Sequence, residues 1–236
     1  MLHFRSLVSQ NLQMTNTWVT PRAMLWAAAG GAVLFMVVFL LDGATRPGYD
    51  PLRHPVSALA LGGRGWIQVA NFAVTGLCML VGAIGLRRTL RAGPGAQWLP
   101  VLMAVFGLSL IASGVFVMDP MAGYPPGALG EYDSPTSWHG ELHGWAGLVV
   151  FSSLPALALV AARRFRTEPR GGAWVWYSMA SAIVTAFLFV TFSVAWETGD
   201  DHAGLLQRAS ILVGWSWLAL FARHTATATS TSGVGA

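Results

Sequence analysis

Six apolar stretches punctuate the chain, at residues 23–41, 66–86, 98–118, 142–162, 174–196 and 205–221, with short polar or glycine-bearing connections between them. Each is near the roughly 20 residues a helix needs to cross a hydrocarbon core. Lipid offers no hydrogen-bond partner to a backbone, so a stretch of this length predicts a helix that satisfies itself. The pattern therefore predicts an all-α, polytopic membrane bundle of six transmembrane helices. No acidic or basic side chain falls well inside a stretch; His143 and Arg208 sit at edges. Gly, Ala, Ser and Thr recur within them, which suits close helix–helix approach in lipid. The boundaries give a short tail at 1–22, a membrane domain at 23–222 and a tail at 223–236, whose Thr, Ala, Ser and Gly content predicts disorder. The first tail lacks the positive, apolar, small-residue order of a cleavable signal peptide, and Met14 is an alternative start.

Composition strengthens this reading. Hydrophobic residues make up 54% of the 236 and charged residues 10%, against about a quarter charged in globular proteins. All 14 basic residues are Arg, and their placement orients the chain. Arg87, Arg88 and Arg91 follow the second stretch, and Arg163, Arg164, Arg166 and Arg170 follow the fourth. The positive-inside rule assigns these connections to the cytoplasm. Arg5, Arg22 and Arg223 then place both termini there, as an even number of spans requires, leaving Arg46, Arg53, Arg64 and Arg208 outside. The expected location is a bacterial inner membrane. Basic residues scattered between apolar spans do not make a nucleic-acid footprint. Cys78, the one cysteine, excludes an intrachain disulfide. Trp66, Trp98, Trp138, Trp174, Trp196 and Tyr177 fall near predicted span ends, where amphipathic rings favour the headgroup region.

This orientation gathers the chemistry at one mouth. Asp42, Asp50, His54, Asp119, Glu131, Asp133, His139, Glu141, His143, Glu197, Asp200, Asp201 and His202 all fall on the outer side. In Ser134-Pro-Thr-Ser-Trp-His-Gly-Glu-Leu-His143, Ser134 is expected to cap a helix with Pro135 in its first turn. His139 and His143 would then share one face, where two imidazoles can reach one metal ion. The alternative is two polar residues at a helix end, one bonding a neighbouring loop. In Tyr49-Asp-Pro-Leu-Arg-His-Pro-Val-Ser57, a helix opened by Pro55 would set His54 and Ser57 one turn apart; alternatively Asp50 and His54 only cap turns. Asp119, an acid at membrane depth, is a functional candidate, or else the partner of Arg53 or Arg208. His202 is a further candidate ligand and Arg208 a candidate anion clamp. Tyr49, Asp50, Arg53 and Arg208 complete a set of candidate substrate-binding residues.

The order Tyr49-Asp50-Pro51-x-x-His54-Pro55-x-Ser57, Gly114-x-Phe116-x-x-Asp119-Pro120, the His139/His143 pair and Gly204-Leu-Leu-Gln-Arg208 resembles a bacterial integral-membrane family, domain of unknown function nine-nine-eight, over about residues 24 to 222. The resemblance implies six or so helices and the same polar loops, and brings no reaction. In its inventory of Ser, Asp and His the chain is also similar to the alkaline ceramidase and adiponectin-receptor hydrolases. Those have seven spans, place HxxxH in the last, and put Ser before His.

Two functions fit this inventory. One is a lipid-modifying hydrolase in which His139, His143 and either His54 or His202 hold a zinc ion, with Asp119 and Ser57 as catalytic candidates and the lipid bilayer supplying the substrate. The other is a non-enzymatic lipid- or small-ligand-binding or transport module using the same mouth. A haem protein with paired axial His is a third, weaker fit, because the His fall at one side only.

Overall fold

A computed structural model describes residues 20–121, 123–128, 136–169 and 171–231. Among them stand six helices, each long and apolar enough to cross a membrane: α1 (Pro21–Thr45), α2 (Gly65–Thr89), α3 (Trp98–Val115), α4 (Trp138–Phe165), α5 (Gly172–Glu197) and α6 (Ala203–Thr231). A short 3₁₀ turn, Val56–Ala60, lies in the first connection. The described residues form no strand beyond an isolated bridge between Met121 and Tyr124.

The helix ends follow local chemistry. Thr20 caps α1, its Oγ1 accepting from Ala23 N at 3.1 Å, and Pro21 occupies the first turn, where no N–H is missed. Ser137 caps α4, its Oγ accepting from Gly140 N at 3.2 Å. That cap corrects the expected start at Ser134, which with Pro135 lies outside the described residues. Helix α3 stops at Val115, short of the expected 118, with the His143 ring on the carbonyls of Ser113 and Phe116 at that end, and Pro120 disfavours a return to helical backbone at Asp119. At the other extreme α6 runs on through Thr231. Ala222, Thr225 and Ala226 are buried there, and packing outweighs a composition that by itself predicts a disordered tail.

Each helix packs on its sequence neighbours and α6 packs on α1, so the six close into a ring. At the α2–α3 contact a Cβ at Gly76 would lie 2.6 Å from Gly107 O, and one at Gly107 2.7 Å from Gly76 O. Only glycine permits that backbone approach, and close packing is the main attraction between helices where lipid removes the hydrophobic difference. The outer face of α5 presents Ile183, Phe187, Val190 and Val194, each more than half exposed. Their spacing of four, three and four makes one apolar stripe, suited to lipid.

Trp215 of α6 occupies the centre of the ring, 1% exposed. It stacks on Phe35 of α1 at 5.3 Å between centroids and meets the edge of Phe106 of α3 at 5.1 Å. The described residues of the connections at 46–64, 116–121, 123–128, 136–137 and 198–202 gather at the end of the bundle above it, and those at 90–97 and 166–169 lie at the opposite end.

Candidate functional site

Two arginines organise the end that carries the longer connections. Arg208, on the first turns of α6, donates from Nη1 to the carbonyls of Pro51 at 2.5 Å, His54 at 2.8 Å and Gly204 at 3.0 Å. Its Nη2 donates to Tyr49 Oη, which in turn donates to Pro55 O at 3.0 Å. The adjacent Gln207 accepts from Val56 N through Oε1 at 2.7 Å. Gly204 completes the junction, since a Cβ there would stand 2.4 Å from His54 O. The first connection is thus latched onto the start of α6 by planar, many-donor hydrogen bonding that a guanidinium is shaped to provide. Burial pushes the Tyr49 hydroxyl up to about 12, against the opposing pull of Arg208, so the phenol stays protonated and donating.

The second cluster ties the same connection to α1. Asp42, 4% exposed, accepts from Arg46 Nη2 at 2.5 Å and from Arg64 Nη2 at 2.6 Å. Arg46, itself buried, also donates to Leu59 O and Leu61 O, both at 3.0 Å. A carboxylate nested between two guanidiniums that also hold the loop carbonyls satisfies charges that would be costly alone at membrane depth.

His54 is buried beneath this loop, its ring 5.5 Å from Tyr49 and 5.0 Å from Tyr124. Its Nδ1 accepts from Asp50 N at 2.9 Å, which a doubly protonated ring cannot do. Burial holds its pKa below the ordinary 6.5, with nearby Arg53 and Arg208 acting in the same direction and Asp50 opposing. The folded protein therefore takes this proton less readily than the unfolded chain, and the stabilisation is full above that value and lost as pH falls through it. Hydrogen exchange of residues 49–56 is expected to quicken as pH is lowered below the ordinary histidine value of 6.5, after correction for intrinsic rates, and His54→Gln is expected to flatten that dependence.

Asp119 lies opposite, at the start of α4. Its Oδ2 accepts from Ser137 N at 2.8 Å and its Oδ1 from Ser137 Oγ at 2.6 Å, so the carboxylate closes the positive end of the α4 dipole. This is neither of the ion pairs anticipated: Arg53 Nε lies 3.4 Å from Asp201, and Arg208 serves the latch. His139 Nδ1 is 3.2 Å from the same Ser137 Oγ. The serine stands between carboxylate and imidazole, whereas activating a serine nucleophile requires the imidazole between the two. Asp119→Ala and Ser137→Ala are each expected to lower stability by about 1 kcal/mol, the usual value of a helix cap, read as thermal midpoints of the purified chain.

Beneath Asp119 a cavity of about 610 Å³ runs down the ring. Its polar lining is Ser57, Ser113, Asp119, Thr136, His143, Ser193, Glu197 and Gln207; lower down come Phe35, Phe72, Phe151, Phe189, Phe192 and Trp215. His143 Nδ1 donates to Phe116 O at 2.8 Å and Ser113 O at 3.1 Å, which ties α4 to the end of α3. Trp215 Nε1 is buried with no acceptor among the described residues, whereas Trp217 Nε1 donates to Ser178 Oγ at 3.0 Å.

The four candidate ligand histidines do not converge. His54 engages Asp50 N, His139 faces Ser137, His143 holds two carbonyls, and His202 Nδ1 lies 3.0 Å from Asp200 Oδ1. The described residues contain no group of three or more His, Cys, Asp or Glu placed to share a metal ion. His54 and Ser57 also part company, because Ser57 lines the cavity and His54 packs under the loop.

The model of the family described as Protein of unknown function (DUF998) matches residues 29–224. The chain belongs to this family. No curated protein and no solved structure matches it. The stretches that carried the family resemblance are mostly the two halves of the latch, Tyr49 to Ser57 and Gly204 to Arg208. Pro55, Ser57, Asp119, Pro120, His143 and Gln207 are the members of that set that line the cavity. Sequence reasoning passed over Asp42, Gln207 and Ser137; an acid at the end of an apolar span was the available signal for the first. Glu197, read as loop, is the last residue of α5 and stands at the cavity wall.

Proposed function

We propose that this multi-pass membrane protein binds an amphiphile in the cavity of its helix ring, polar headgroup toward Asp119, Glu197 and His143 and apolar chain toward Trp215. The arginine distribution turns that mouth away from the cytoplasm, toward the outer leaflet of the membrane. The observation that carries the reading is the cavity itself. Its volume, about 610 Å³, falls within the span of small-molecule sites, roughly 300–1,000 Å³. Its polar groups converge at one end over a floor of aromatic rings. Trp215 adds a buried donor with no acceptor among the described residues, a group that a ligand oxygen would satisfy. Binding is favoured over hydrolysis, because Ser137, though in reach of His139, has its hydroxyl committed to Asp119 and to the cap of α4, and the described residues hold no group of three ligands for zinc.

The test is calorimetric titration of the full chain in maltoside micelles with octanol, octyltrimethylammonium and octyl sulfate. Gly147→Leu serves as the blocked variant: Gly147 lines the cavity, and a Cβ there meets nothing within 4 Å. Saturable binding of at least one probe, near one per chain and reduced at least tenfold in folded Gly147→Leu, is expected. Equal heats from both proteins would refute the reading.

A further inference from the structure

We infer that the bound amphiphile is a cation, an alkyl amine or quaternary ammonium carrying an apolar chain. This rests on the cavity reading above and goes beyond it by fixing the sign of the headgroup. The protein has 14 Arg against 10 acidic residues, yet among the described residues no Arg lines the cavity. Its ionisable lining groups are Asp119, Glu197 and His143. Glu197 ends α5, where the carbonyl end of the helix adds negative potential. Asp119 is partly offset by the start of α4 but still brings an acidic side chain to the cavity lining.

An anionic headgroup would call for a guanidinium in the wall. The guanidiniums at this end are engaged elsewhere: Arg208 with the carbonyls of residues 51, 54 and 204, Arg46 and Arg64 with Asp42, and Arg53 with Asp201. A phosphate or sulfate would meet two carboxylates and no compensating cation.

Below the carboxylates the wall is aromatic. Phe151 stacks on Phe189 at 4.6 Å with their planes 3° apart, and Phe192 and Trp215 lie within 6.4 Å of Phe151. Ring faces are negative poles that attract ammonium groups, most strongly where water is excluded. Carboxylates above aromatic faces make a cradle for a methylated or primary ammonium. The unpartnered Trp215 N–H lies deeper and suits a hydroxyl or ester oxygen on the same ligand.

The three octyl probes also decide this proposal, because they share a chain and differ in headgroup charge. Octyltrimethylammonium is expected to bind at least tenfold more tightly than octanol or octyl sulfate, after subtraction of the micelle background measured with Gly147→Leu. Glu197→Gln, at an exposed position where folding should be spared, is expected to reduce that ratio several-fold. Equal affinities, or preference for octyl sulfate, would overturn the cation assignment while leaving the cavity reading standing. An unchanged ratio in both Glu197→Gln and Asp119→Asn would overturn it as well. Absence of saturable binding by all three probes would overturn both.

Discussion

Asp42→Asn is expected to destabilise the folded protein by about 3–5 kcal/mol, the usual consequence of breaking a buried ion pair by removing one partner. For a domain of this size that corresponds to roughly a 6–20 °C fall in thermal midpoint. The magnitude follows from the asymmetry of the cluster. Arg64 is 43% exposed at its side chain and can recover water, but Arg46 is 5% exposed and cannot. Its remaining bonds to Leu59 O, Leu61 O and Arg64 O hold the guanidinium in place without neutralising it. The double variant Asp42→Leu/Arg46→Met is expected to lose less stability than the two single variants' losses added together, since the charge that Asp42→Leu leaves buried on Arg46 is absent from it. Thermal unfolding of the four proteins in one detergent checks this; strictly additive losses would show that the pair is not coupled.

Arg208→Leu is the second large effect. The side chain satisfies three carbonyls and a phenol inside a junction only 7% exposed, and leucine leaves these acceptors buried without donors. Each such orphan costs about 1–3 kcal/mol, partly recovered as the loop lifts into water, so a loss of about 3 kcal/mol is expected. Because the latched loop supplies Pro55, Val56 and Ser57 to the cavity wall, ligand affinity should fall with it. Arg208→Lys should rescue little, for a single ammonium cannot reach loop carbonyls and Tyr49 in the fork geometry. Hydrogen exchange over residues 49–57 is the discriminating measurement. Fast exchange in both variants supports the latch, and native protection in Arg208→Leu argues against it.

The six spans were legible because lipid imposes a single rule, an uninterrupted apolar run folded as helix, and that rule is written locally. The helix starts were less legible where several capping residues stood close together. Ser134 and Ser137 both suit a cap, and the choice fell to Ser137, whose hydroxyl also reaches Asp119 across 18 residues of chain. The candidate site was half legible. Asp119 was singled out as an acid at membrane depth, His143 as half of a spaced histidine pair and Ser57 as a neighbour of His54, and all three line the cavity. Arg208 was read as a clamp for an anion, but its anion-like partners are backbone carbonyls of its own chain, some 150 residues distant. A guanidinium in a polar connection looks the same in sequence whether it holds a ligand or a loop.

What the chain determined by itself is the class of fold and the sorting of residues: apolar length made six spanning helices, and the uneven placement of acids and histidines set the polar chemistry in alternate connections. Only the tertiary structure decided which of those polar groups meet. Closing α6 on α1 brought residues 49–57 against 204–208 and set Trp215 at the floor of a cavity that no single stretch describes. The reason is physical. Backbone satisfaction and hydrophobic length act within about 20 residues, whereas a buried charge accepts whichever partner the ring of helices carries to within hydrogen-bonding distance.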